Sequence, residues 1–252
     1  MKKYFFYGLV VYFLASQQSF AQMNVRDSVF SFSMIAITAG YQVPGGDMAD
    51  RFGNNFSVGS AFQRKIKGNW LWGADMNLIF GGEVKENTIL SDLMTSQGAI
   101  IGANGNYAEV LLHERGYSLF LKAGKIFPVM GPNRNSGLTA TVGVGFIQHK
   151  IRIEDKGNLV PALSAEYQKG YDRLTNGLCL SQFLGYTNFS NSRLINFYAG
   201  LEAMEGFTRN RRSYNFDTQM KDDTRRMDFF LGAKIGWLIP LYKKVPKEYY
   251  YD

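Results

Sequence analysis

The chain has 252 residues, which fits one domain. With 46% hydrophobic and 19% charged residues it is too apolar for disorder, and its single cysteine, Cys179, excludes an internal disulfide. The formal charge is +7, two of it from Lys2 and Lys3. It comes without a nucleic-acid motif, so anionic lipid or lipopolysaccharide phosphate is the expected counterpart.

Met1-Lys2-Lys3 is positive and precedes an apolar run from Tyr4 to Ala15. Ser19 and Ala21 then supply small residues at the −3 and −1 positions of a cleavage site, which predicts a signal peptide over residues 1–21. Beyond Gln22 no apolar stretch is long enough for a membrane helix, so a crossing of the membrane would use strands.

Period-two alternation predicts those strands. In chain order they cover Phe30–Val43, Asn55–Ile66, Trp70–Gly81, Tyr107–Phe127, Leu138–His149, Thr175–Phe189, Ile195–Ala203 and Phe229–Leu241. The last is the clearest: Phe229, Leu231, Ala233, Ile235, Trp237, Ile239 and Leu241 share one face, and Lys234 lies on the other. Such faces fit lipid outside and a packed interior. The segment Tyr107–Phe127 contains Arg115-Gly116, which could turn a hairpin; one long strand bent at Gly116 is preferred because it keeps an even count of eight.

Lys67-Gly68-Asn69 and Ser190-Asn191-Ser192 read as tight periplasmic turns. Pro44–Asn54, Gly82–Asn106, Glu154–Leu174 and Thr208–Arg226 read as extracellular connections. Pro128–Gly137 then falls on the periplasmic side, where it is longer than a turn needs. The fold class is therefore all-β: an eight-stranded antiparallel transmembrane barrel over residues 22–242, with both termini in the periplasm and a tail over 243–252. The expected location is the outer membrane. Aromatic residues at 15% suit the two girdles of such a barrel.

The register points Asp75, Lys122, Glu202 and Lys234 into the lumen, where charges must pair. Glu202 and Lys234, on neighbouring strands, are the expected partners. A structural polar plug is the leading reading and a narrow ion path the alternative. Arg209, Arg211, Arg212, Arg225 and Arg226 lie together in the Thr208–Arg226 connection and could grip phosphate; a solvated loop of mixed charge is the plainer reading. Leu159, Val160, Leu163 and Tyr167 would be exposed unless another loop or a partner covers them.

His113, beside Glu114, and His149, near Glu154 and Asp155, are the two histidines. They come without a nucleophile motif and are too few for a metal cluster, so no catalytic residue, metal or other cofactor is expected. Gly143 and Gly145 belong to an alternating strand and predict close packing, not a dinucleotide loop.

The run Pro44-Gly45-Gly46-Asp47-Met48-Ala49-Asp50-Arg51-Phe52-Gly53, with Lys67-Gly68-Asn69-Trp70, Gly73 and Phe80-Gly81, resembles the small outer-membrane barrels of Bacteroidota, including the PorT type. The Ala21-Gln22 junction suits exported proteins of that phylum. The resemblance spans nearly all of the mature chain, and its motifs are structural. It implies a non-catalytic structural or accessory component of an envelope or secretion assembly, type IX secretion included. A small passive channel is the alternative, and an outer-membrane hydrolase comes third. The expected partners are outer-membrane lipid, lipopolysaccharide and other envelope proteins.

Overall fold

The computed structural model describes residues 29–86, 88–190 and 195–241. The signal peptide expected over residues 1–21, the tail expected over 243–252 and the Ser190–Ser192 turn beyond Ser190 lie outside those residues.

The strands are β1 (Phe32–Gly46), β2 (Asn55–Lys65), β3 (Trp70–Gly81), a small hairpin of β4 (Ile100–Ile101) and β5 (Tyr107–Ala108), β6 (Val110–Phe127), β7 (Gly137–Asp155), β8 (Thr175–Asn188), β9 (Phe197–Asn210) and β10 (Arg225–Leu241). One short helix, α1 (Asp47–Arg51), follows β1. Eight of the strands close into an antiparallel barrel in the order β1-β10-β9-β8-β7-β6-β3-β2. Closure pairs the first strand with the last along their length, from Ser33 with Leu241 to Gly46 with Asp228.

The tight β2–β3 turn holds Gly68 at φ 82° and Asn69 at φ 64°, left-handed values that glycine and asparagine tolerate best. The doubtful fourth segment is one continuous strand from Val110 to Phe127, preceded by the β4–β5 hairpin. Gly116 sits within the ladder, opposite Ile79 and His149.

The long periplasmic connection after Phe127 folds back under the barrel. Asn133 Nδ2 donates to Phe189 O at 2.6 Å, Asn69 Nδ2 donates to Arg134 O at 2.9 Å, and Asn135 Oδ1 accepts from Lys65 Nζ at 2.8 Å. Its length serves this closure.

Two strands run further than their apolar faces suggest. β7 continues six residues past His149, and β10 starts four residues before Phe229. Beyond the girdle the alternation persists with its polarity reversed. Gln148, Lys150, Arg152 and Glu154 face out, while Ile147, Ile151 and Ile153 are buried inside. Strand pairing continues into water as long as the inner face has apolar partners to cover.

Candidate functional site

Alternation fixes which side chains enter the lumen, and glycines make room for the large ones. Lys122 lies opposite Gly73 and Gly143. Glu202 lies opposite Gly232, and Lys234 opposite Gly40 and Gly200. A Cβ at Gly143 would come within 2.7 Å of Lys122 Cγ. The lysine stem occupies the volume that the missing side chain leaves.

The four charged side chains meet across the lumen. Lys122 Nζ lies 2.7 Å from Asp75 Oδ2 and 2.5 Å from Glu202 Oε1. Lys234 Nζ lies 3.0 Å from Asp75 Oδ2 and 3.1 Å from Glu202 Oε1. Ser181 Oγ donates to Glu202 Oε1 at 3.2 Å. The result is a closed four-membered ring of alternating sign, every member buried. When all four are ionised, two carboxylates offset two ammoniums and the lumen is neutral. The Glu202–Lys234 contact is one side of this ring. Sequence reading names all four residues but links only two. Asp75 and Lys122 come from β3 and β6, and only barrel closure brings them across to β9 and β10.

Apolar layers seal the ring from both ends. Toward the periplasm lie Phe32, Met34, Leu71, Ile126, Phe183, Phe189, Tyr198 and Leu238. Phe183 and Tyr198 meet edge to face at 5.4 Å. Toward the outside, Phe120, Ile147, Cys179, Met204 and Phe230 continue into a cluster that includes Ile89, Leu90, Ile100, Val160 and Leu163. Val160 and Leu163 are thus covered by another loop, whereas Tyr167 stays 57% exposed. The space beside Asp75, Lys122 and Lys234 is a cavity of about 20 Å³, room for about one water.

The outer mouth is capped by α1. Its Arg51 is buried, pairs with Glu86, and donates to Thr175 Oγ1 at 3.2 Å and Arg173 O at 3.4 Å. Arg173 in turn pairs with Glu86 at 3.3 Å and with Asp217. Burial alone would raise the Glu86 carboxyl, but the Arg51 and Arg173 guanidiniums outweigh it and hold it below the usual range. All four extracellular connections are thereby cross-linked over the mouth. Sequence reading misses this cap, because its partners are 35 to 124 positions apart.

The histidines occupy unlike places. His149 points inward, fully buried, with Nε2 2.8 Å from Asp228 Oδ2, which also accepts from Thr208 Oγ1 at 2.6 Å. The expected neighbourhood of Glu154 is corrected by alternation: Glu154 faces out and His149 in. Phe52 covers the imidazole edge to face at 5.7 Å, so no substrate reaches it. His113 lies 4.0 Å from Glu154. Among the described residues no group of three or more His, Cys, Asp or Glu side chains is placed to hold a metal.

The five arginines expected in one basic loop are divided among three settings, because β9 runs on to Asn210 and β10 starts at Arg225. Arg212 pairs with Asp172 at 2.5 Å and Arg226 with Asp222 at 2.5 Å. The Asp222 carboxyl, raised by burial, is brought down to about 2 by hydrogen bonds from Arg226 and Thr224. Arg211 Nε donates to Asn176 Oδ1 at 2.6 Å. Arg209 and Arg225 stand opposite each other on the outer wall.

That wall carries a band of exposed apolar side chains, among them Ile37, Val58, Met76, Leu121, Val144, Leu184, Leu201 and Ile235. Trp70, Trp72, Phe127, Phe197 and Trp237 edge it on the periplasmic side, and Tyr41, Phe56, Phe80, Tyr117, Phe146, Phe207 and Phe229 on the other. A closed barrel with such a belt between aromatic girdles is stable only with lipid around it. The chain is an outer-membrane β-barrel.

No protein-family model and no curated protein matches the sequence. Solved structures of similar shape include Neisserial surface protein A (NspA), at 12% identity and a TM-score of 0.42, over 83% of this chain and 99% of that one. Another is Ail, the attachment invasion locus protein of Yersinia pestis. In its complex with the heparin analogue sucrose octasulfate the values are 14% and 0.37, over 83% of this chain and 100% of that one. A second Ail structure gives 10% and 0.38, over 84% of this chain and 100% of that one. Likeness at this level says nothing of what the chain binds. The barrel stands on its own strand pairing and belt.

Proposed function

We propose that the chain is a non-catalytic, non-conducting barrel that serves as a structural or accessory component of an envelope assembly. Its resemblance to PorT-type barrels of Bacteroidota makes a secretion assembly, type IX included, the first candidate. One observation carries the reading: the lumen is filled. A neutral ring of four charges lies between two apolar layers under a cross-linked cap, with space for about one water beside it. A passive channel needs a continuous polar path, and a hydrolase needs a reachable histidine. His149 is fully buried beneath Phe52, and the partly exposed His113 stands 4.0 Å from Glu154 with no hydroxyl bonded to it among the described residues.

The full-length protein, tagged in its native cells, tests this in two arms. Mild detergent extraction followed by quantitative mass spectrometry should recover envelope proteins in fixed proportion to the barrel. The purified barrel in planar bilayers should give no resolved conductance steps. Stepwise conductance from the unaltered protein would overturn the non-conducting reading, and solitary recovery after in-cell cross-linking would overturn the accessory reading.

A further inference from the structure

Acidic residues of this chain are distributed unevenly over its arginines. Arg51, Arg173, Arg212 and Arg226, at the mouth and in the loops, each pair with a carboxylate. Arg209 and Arg225, on the outer wall, form no ion pair or hydrogen bond among the described residues, and both are exposed. Strand register nevertheless sets them directly opposite each other. Side chains so placed lie about 5 Å apart at Cβ, and like charges there repel.

A second pair of like charges repeats the arrangement on β6 and β7. Arg115 stands opposite Lys150, and both face outward. Arg115 donates only to backbone oxygens, Glu114 O at 2.7 Å and Gly81 O at 3.5 Å. Lys150 lies 3.6 Å from Asp172 with its side chain still 46% exposed. Between the two pairs the register joins polar side chains without a break: Gln148 opposite Asn176, and Asn176 opposite Arg209. Carboxylates do lie nearby, but they are engaged elsewhere: Asp47 accepts from Met227 N at 2.6 Å, Asp223 pairs with Lys221 at 2.8 Å, and Asp172, 3.6 Å from Lys150, pairs with Arg212.

Depth supplies the remaining constraint. Arg209 is one outward position beyond Phe207, and Arg115 one outward position beyond Tyr117. Both pairs therefore lie just outside the aromatic girdle on the side of the long connections, where outer-leaflet headgroups begin. On β1, β2 and β3 the outward side chains along the girdle, Tyr41, Phe56 and Phe80, and Val43 beyond Tyr41 include no lysine or arginine. These four cations lie on one side of the barrel, across five adjacent strands, or about 20 Å at about 4.8 Å per step.

We infer that this strip binds the phosphorylated sugar headgroup of lipid A in the outer leaflet, Arg209 and Arg225 gripping one phosphate and Arg115 and Lys150 another. Guanidinium groups bind phosphate oxygens bidentately, and an anion between two opposed cations removes their repulsion. A glycerophospholipid with one phosphate spans one pair only. A soluble polyanion gains nothing from the fixed depth.

The test uses the refolded full-length mature barrel in detergent micelles, with diphosphoryl lipid A, its dephosphorylated form, phosphatidylglycerol and inorganic phosphate as probes, read by native mass spectrometry and by the unfolding midpoint. Diphosphoryl lipid A should bind most tightly, more weakly at high salt. Loss of one charge-assisted contact should weaken binding about tenfold, so R209Q and R225Q should each show about that loss, as should R115Q. K125Q, at the periplasmic girdle where Lys125 packs 5.1 Å from the Trp70 ring, should bind as the parent does. Heat-modifiable migration confirms that each variant is folded, and the single variants carry the comparison should a double one misfold. Equal binding of the dephosphorylated lipid, unchanged binding by R209Q and R225Q, or displacement by inorganic phosphate at matched concentration would each overturn the proposal.

Discussion

Replacing Glu202 with Gln perturbs the lumen ring at its most connected atom. Glu202 Oε1 accepts from Lys122, Lys234 and Ser181 at 2.5, 3.1 and 3.2 Å. After E202Q, Asp75 alone faces two ammoniums, and the lumen holds one uncompensated positive charge. Removing one partner from a buried ion pair costs about 3 to 5 kcal/mol. Asp75 still lies 2.7 and 3.0 Å from the two lysines, which places the loss near the lower figure, about 3 kcal/mol. K234M leaves the opposite excess and should cost about the same. The double variant is neutral again and keeps the Lys122–Asp75 contact, so it should lose about 3 kcal/mol rather than the roughly 6 that addition gives. Urea unfolding in lipid vesicles, followed through the tryptophans at 70, 72 and 237 on the outer wall, measures all three midpoints. Additivity within about 0.5 kcal/mol would refute the ring as an energetic unit.

The cap should loosen in acid. The Glu86 carboxyl is held below its ordinary value of 4.5, so its contribution is complete above that pH and is lost as pH falls through the lowered value. Protection factors of residues 82–86 and 172–175, with exchange corrected for the intrinsic rate at each pH, should fall on going from pH 6 to pH 3, whereas E86Q should be weakly protected at both; pH-independent protection in the parent would contradict the role given to Glu86. L121R places a charge on an outward side chain that is 69% exposed to lipid, at an expected cost of about 2 to 4 kcal/mol in unfolding free energy, although the very next residue is a lysine. An L121R barrel with an unchanged urea midpoint would mean the register is wrong. G143A brings a Cβ to 2.7 Å from Lys122 Cγ and 3.0 Å from Leu121 O, so it should cost about 1 to 3 kcal/mol by overpacking, with an unaltered midpoint as the contrary result.

The barrel was legible in the sequence wherever one face met lipid. Alternation from Trp70 to Phe80 or from Phe229 to Leu241 admits one register, since a shift of one residue puts Asp75 or Lys234 into hydrocarbon. The same signal was present above the girdle with its sign inverted. Ile147, Ile151 and Ile153 keep the period of two, but they are apolar on the inner face, where the lower strand is polar. A reading tuned to apolar-outside stops at His149 for that reason. It then assigns Glu154 to His149, and Arg209 and Arg225 to a loop. What stayed hidden is non-local. The cap joins Arg51 to Thr175, and the plug joins Lys65 to Asn135, through contacts that no local period encodes.

The lumen and the outer wall use charge under opposite constraints, and this bears on function. Inside, the space beside the ring holds about one water, too little to hydrate an ammonium, and Lys122 and Lys234 each find their acids within the chain. Glycines opposite Lys122 and Lys234 clear the space the stems need, so these charges act as filling as much as polarity. Enlarging that space by trimming the ring alone would not open a path, because Phe183 and Tyr198 below and Phe120 and Phe230 above remain in place. Outside, Arg209 and Arg225 are opposed with no ion pair to either among the described residues, a repulsion that the proposed lipid A phosphate would relieve. The proposed closed lumen therefore rests on the ring and its two apolar layers, and the proposed lipid contact on the unmatched cations of the outer rim, so either can fail in its test while the other stands.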